Sequence, residues 1–428
     1  MKMPDSAICE EILKNGVISF ARFMELALYC PESGYYESKK DRIGRRGDFI
    51  TSVSVGSFFG ELLAFQFAEW LKELPMADGR WPVVEAGGKA GSGSSSSSSL
   101  CGQRTEHGGQ RRDFSIVEAG AHEGRLAVDI LAWLKANQPE LFERIEYVII
   151  EPSVRRKEWQ QETLKCFAPR VRWLANFSES SSSSPGPLLP HRGAAQASPP
   201  FNGIIFSNEL LDAFPVHRFG WDAARKAWFE WSVGLQESKL IWVRSTELWT
   251  AETVQSLPVA GEPPALSWRA AILDLPSSLL AVLPDGYVVE AGPAASHWWR
   301  EAAARLACGK LLTIDYGHAA EEMFSPARLR GTLRAYQRHR VTDDLLANPG
   351  GQDLTAHVNF AALQTAGEAA GLRTEQFCTQ SQFLTRIFQK AVAEKSFTPL
   401  DAAQVRQFQT LTHPEHLGRS FRVLVQRR

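Results

Sequence analysis

The sequence has no pair of cysteines at C-x-x-C spacing; its six, Cys9, Cys30, Cys101, Cys166, Cys308 and Cys378, are scattered. That argues against a zinc site or a disulfide framework and suits a reducing compartment. There is no G-x-G-x-x-G loop, which makes a dinucleotide cofactor an unfavourable reading. No apolar run approaches transmembrane length. The opening residues, MKMPDSAICEEILKNG, carry acids where a targeting peptide would be apolar or arginine-rich. Neither charge is in excess: the net is −1, so no broad nucleic-acid-binding face is expected. These absences lead us to expect a soluble, cytoplasmic protein with no metal, no membrane insertion and no nucleic-acid partner.

What is present is an ordinary globular composition, 44% hydrophobic and 22% charged over 428 residues. That length holds two domains, or one large α/β domain with insertions. The stretch DFSIVEAGAHEGRLAVDILAWL, Asp113 to Leu134, reads as strand, glycine turn and amphipathic helix. Glycines at 120 and 124 let a ligand approach the backbone, and the helix start offers free N–H groups. EYVIIEP gives a second strand ending at Glu151, and GIIFSNELLD another ending at Asn208 and Glu209. GYVVEAGPAASHWWREAAARLACGKLLTIDYG reads as strand, helix, strand, its strands ending at Glu290 and Asp315. Alternating apolar strands and helices predict a doubly wound, mostly parallel Rossmann-like sheet.

Around that core, residues 1–75 read as an N-terminal helical segment, with a cap at Ser19 and loop chemistry from Gly47 to Ser57. Residues 77–112 and 178–200 are rich in Ser, Gly and Pro and read as mobile surface insertions. VVEAGGKAG, at 83–91, echoes IVEAGAHEG but leads into the serine tract rather than a helix. Trp228 to Val243 has the alternation of a β-hairpin, inside a small β-rich insertion at about 219–285. The core is expected to run from 76 to 384 and to be followed by a polar, mixed tail at 385–428.

Ligands of such sheets lie outside the carboxyl ends of the strands, and carboxylates recur there. Glu151 stands where an acid would accept both ribose hydroxyls of an adenosine cofactor; the plain alternative is a solvated acid after a strand. For Glu118 the plain alternative is charge complementarity at a helix start. For Asn208, Glu209 and Asp212 it is a helix cap with a first-turn acid, which Pro215 disfavours. An acid beside two glycines, without phosphate-type spacing, suits S-adenosylmethionine better than a dinucleotide.

GDFITS with FFGE, the glycine turn, NELLDAFPVHRF, IDYG, GTLRAYQRHR and PGGQDLTAHVNF follow one another in a single order. Together, from about Ile18 to Leu384, they resemble the MidA family, which includes the mitochondrial complex I assembly methyltransferase. The resemblance implies a class I S-adenosylmethionine-dependent methyltransferase. In the mitochondrial members it implies an arginine of a respiratory complex I subunit as acceptor. It also implies that Gly120 and Gly124 line the methionine end of the cofactor, with Glu118 near the ammonium and Glu151 on the ribose. Asp48, Thr51, Ser52, Gly60 and Glu61 would form a cofactor-facing lid. Asn208, Glu209 and Asp212 would face the transferred methyl, Glu209 and Asp212 clamping a guanidinium, with Glu61 or Glu290 as possible substitutes. His122 departs from the pattern, since members commonly carry Gly there, and its bulk is expected to narrow the loop. His357 reads as a hydrogen-bonded loop residue rather than a base. Other readings are a cofactor-binding assembly factor with weak or no catalysis, a small-molecule methyltransferase, and an NAD-dependent oxidoreductase, which the missing fingerprint disfavours.

Overall fold

The computed structural model describes residues 6–38, 51–75, 112–179, 200–250, 277–326, 328–337, 340–397 and 399–428. Asp48, the 83–91 echo, nearly all of both Ser-rich insertions and residues 251–276 lie outside the described residues.

Seven strands form the main path of the eight-stranded central sheet: β1 (Phe114–Ala119), β2 (Ile145–Ile150), β3 (Val171–Leu174), β4 (Phe201–Asn208), β5 (Leu306–His318), β6 (Arg373–Thr379) and β7 (Phe421–Arg427), with the two-residue strand Val358–Asn359 pairing parallel with the end of β5. Their order is β6-β7-β5-β4-β1-β2-β3. From β5 to β3 every pairing is parallel, and β7 runs antiparallel to both β5 and β6. The parallel strands are near-continuous apolar runs because helices cover both faces. Phe58–Lys72, Arg125–Asn137 and Gln380–Ala393 pack on one face, through Phe59, Leu63, Ile130 and Leu384. Pro293–Arg305 and Phe360–Ala369 pack on the other, through Trp299, Ala302 and Leu363. The chain order reverses between β1 and β4, which opens a crevice at their carboxyl ends.

A second, antiparallel sheet sits beside that crevice and contains the hairpin Ala227–Gln236 and Lys239–Trp249. The turn residues Glu237 and Ser238 both have positive φ, 47° and 63°, the mirror-type turn whose twist matches the strands. The helix Phe20–Tyr29, with Ser19 accepting the Arg22 N–H at its N-cap, packs Phe20, Phe23 and Met24 against this sheet.

Two expectations change. Val288–Ala291 is not a strand of the parallel sheet; it pairs antiparallel with His217–Asp222 in the second one. The Gly-Pro and amphipathic helix behind it imitate a βα unit, but the free partner edge belongs to the β-rich module. Residues 385–428 are not a polar tail. After the helices Gln380–Ala393 and Ala402–Thr412 the chain re-enters the core as β7, where Phe421, Val423, Leu424 and Val425 are fully buried.

Candidate functional site

A cavity of about 1530 Å³ lies at the carboxyl ends of β1, β2, β4 and β5, roofed by the N-terminal helical segment and by a small three-stranded antiparallel sheet of Arg334–Gln337, Arg340–Thr342 and Asp353–Thr355. One half is built by the glycine turn and β2. Gly120, His122 and Gly124 all sit in the left-handed region, with φ of 77°, 48° and 83°. His122 thus adopts a backbone shape that glycine takes without strain, which gives the position its glycine preference. Its carbonyl accepts a hydrogen bond from Gln160 Nε2 at 3.0 Å. Gly120 and His122 line the cavity; Gly124 sits behind them as the N-cap of Arg125–Asn137.

Glu118 and Glu151 close the ends of β1 and β2 and both face the cavity. Tyr147 donates its hydroxyl to Glu118 at 2.7 Å, and burial pushes the Glu118 carboxyl up to about 7. Glu151 accepts the Ser153 N–H at 2.9 Å and Gln160 Nε2 at 2.9 Å, and its Oε1 lies 3.1 Å from Arg156 Nε. Burial raises its carboxyl more than Arg156 lowers it. Gln160 is the residue that sequence reading missed. It is fully buried, joins the His122 carbonyl to the Glu151 carboxylate, and accepts from Trp173 Nε1 at 3.0 Å. A glutamine inside the polar run VRRKEWQQET gives no sign of that burial.

The other half faces the end of β4. Glu209 has φ of 50°, an uncommon conformation for a side-chain-bearing residue and one that gathers at functional turns. Its Oε1 accepts the Ser52 N–H at 2.8 Å and Asn208 Nδ2 at 3.1 Å. Burial first, and then the charge of Asp315, push its carboxyl up to about 8. Burial and the charges of Asp315, Asp353 and Glu209 hold Asp212 well above the carboxylate range. Tyr36 donates to Asp353 Oδ1 at 2.8 Å and stacks on Tyr29 at 5.6 Å between centroids. Tyr29, Tyr36, Tyr316 and Tyr336 line this half together with Asp212, Asp353 and His357.

Thr51 lines the cavity and caps the short helix Ser52–Val55, while Ser52 is buried behind it with its hydroxyl on Gln380 Oε1 at 3.1 Å. Three positions lie elsewhere. Gly60 is on the helix Phe58–Lys72, where a Cβ would come 2.5 Å from the Asp129 Cβ: it is a helix-packing glycine. Glu61, one turn from that helix start, accepts Ser57 Oγ at 2.8 Å and Gln404 Nε2 at 3.1 Å. Glu290 accepts the Thr332 N–H at 2.7 Å and Oγ1 at 3.0 Å inside the β-rich module. None of the three lines the cavity, so neither Glu61 nor Glu290 can replace the acids beside β4.

A switch-point crevice with a glycine turn, a ribose-type acid at the next strand end and no dinucleotide fingerprint defines an α/β enzyme for an adenosine cofactor without pyrophosphate. The family model described as "Putative S-adenosyl-L-methionine-dependent methyltransferase" matches residues 98–378, and the chain belongs to that family. It is 26% identical to the protein arginine methyltransferase NDUFAF7 homolog, mitochondrial, of Drosophila melanogaster, over 97% of this chain and 82% of that one. It is likewise 26% identical to protein arginine methyltransferase NDUFAF7, mitochondrial, of Homo sapiens, over 96% and 80%. A Burkholderia thailandensis structure bound to S-adenosyl-homocysteine is 28% identical, with a TM-score of 0.70 over 99% of this chain and 91% of that one. This protein is an S-adenosylmethionine-dependent methyltransferase. Its residues suit the cofactor: carboxylates stand ready for an ammonium and two hydroxyls, and Asn208 keeps a buried Oδ1 without a hydrogen-bond partner in the cavity wall.

Proposed function

We propose that the methyl acceptor is an arginine side chain of a protein. The observation that carries this reading is the acid wall: Glu209 and Asp212 stand side by side at the end of β4, burial pushes the Glu209 carboxyl up to about 8 and raises that of Asp212, and among the described residues neither forms an ion pair with a Lys or Arg. An incoming guanidinium supplies the missing cation, and two carboxylates can take its N–H edges in bidentate fashion. The tyrosine rings add faces on which a planar cation stacks. The names of the curated relatives support the same acceptor.

In this reading Glu118 meets the cofactor's ammonium, Glu151 its ribose and Gly120 its methionine end. Gly124 sets the turn, and Thr51 and Ser52 form the lid side. When bound, the cofactor supplies a methyl already activated by a sulfonium. What the chain supplies is alignment: Glu209 and Asp212 turn one nitrogen toward that methyl, the cap excludes water, and the same carboxylates receive the departing proton. Asn208 fixes the Glu209 carboxylate through its amide. A respiratory complex I subunit is the proposed partner, on the family resemblance. A cytoplasmic site of action is proposed on the free cysteines Cys9, Cys30, Cys166, Cys308 and Cys378, to be tested by cell fractionation. The acceptor is tested by incubating the protein with labelled cofactor and host lysate and identifying the labelled residue by mass spectrometry. Label on a protein arginine is expected; label on lysine or on a small molecule overturns the arginine reading.

A further inference from the structure

The turn that carries the acid wall poses a backbone accounting problem. The β4–β5 ladder extends to Glu209, whose N–H reaches the Ile314 carbonyl at 2.9 Å. At Glu209 the chain swings into the left-handed region, and the next N–H groups leave the ladder. They do not go to water. Asp315 Oδ2 accepts the Leu210 N–H at 3.1 Å and the Leu211 N–H at 2.8 Å, while its Oδ1 accepts the Tyr316 N–H at 2.8 Å. Asp315 is fully buried, and it is not among the residues lining the cavity.

We infer that Asp315 is a positioning residue: its carboxylate collects the amides that the NELLD turn cannot pair, and so fixes the left-handed Glu209 with its acid group toward the methyl. Glutamine or serine would not do this, because gathering several N–H donors on one side chain takes an acceptor-only group. A buried carboxylate in an amide nest also adds negative potential behind Glu209 and Asp212, which favours a cationic acceptor. The role rests on the methyl-transfer reading of this cavity.

Amide exchange on the unaltered protein tests the geometry without an activity assay. Leu210 and Leu211 should exchange as slowly as Phe206 and Ser207 in β4; exchange at open-loop rates overturns the inference. Asp315→Asn turns an NH2 toward those donors. It should lower kcat for labelled-methyl transfer into lysate protein by about a hundredfold, leaving S-adenosyl-homocysteine affinity within about threefold. The control is Ser207→Ala, which removes the buried hydroxyl on Thr313 Oγ1 at 2.9 Å, in the same strand pair but away from the turn. It should stay near the parent. An Asp315→Asn protein with full kcat, or a Ser207→Ala protein with an equal loss, overturns the positioning role. If Asp315→Asn does not fold, the parent's amide exchange decides alone. Slow amides in a parent that transfers no methyl would sink the methyl-transfer reading and leave the nest intact.

Discussion

Glu209 holds a left-handed backbone that costs on the order of 1 kcal/mol for a non-glycine residue, and it keeps a carboxyl that burial has pushed up to about 8. Glu118 and Asp315 are each pushed up to about 7 by burial. All three bind protons more tightly in the folded chain than in the unfolded one. Between their ordinary values and these raised ones, the folded state therefore carries more protons, and stability falls as pH rises. The thermal midpoint should drop between about pH 5 and pH 8. Glu209→Gln should drop less across that window, while losing methyl transfer and keeping cofactor affinity; a variant with the parent's slope would contradict the assignment. The placement of Glu118, Glu209 and Asp315 at strand ends could be anticipated from the chain, because an acid at the end of an apolar strand is visible as text. Gln160 and the tilt of Glu209 were not visible. Both depend on how a turn is folded, and neither residue type announces it.

The parallel strands were legible because each is a short apolar run followed by turn chemistry and a helix. Two elements were not. Val288–Ala291 has the same local text as a parallel strand, and only its long-range partner His217–Asp222 decides otherwise. In β7 the run FRVLVQR is short, flanked by arginines, and separated from its partners β5 and β6 by distance in sequence. Its burial makes it a core strand, so Leu424→Ala should cost about 2–5 kcal/mol in denaturant unfolding. A cost within about 0.5 kcal/mol, the surface range, would return this segment to the tail it first resembles.

At the scale of the whole molecule, the cavity is divided between a doubly wound sheet and a cap made by the N-terminal helical segment and the three-stranded sheet of Arg334–Gln337, Arg340–Thr342 and Asp353–Thr355. The sheet supplies Glu118, the glycine turn and Glu151; the cap supplies Tyr29, Tyr36, Tyr336 and Asp353, and the two meet over Glu209 and Asp212. In the proposed reading, cofactor and acceptor are held by different parts of the chain. The cofactor half is tested most directly by calorimetric titration of S-adenosyl-homocysteine and NADH into the parent protein and Glu151→Ala. The parent should bind S-adenosyl-homocysteine and not NADH, and Glu151→Ala should bind it at least about tenfold more weakly, the loss of two charge-assisted hydrogen bonds. Binding of NADH in preference, or equal affinity in parent and variant, would contradict this account of the site.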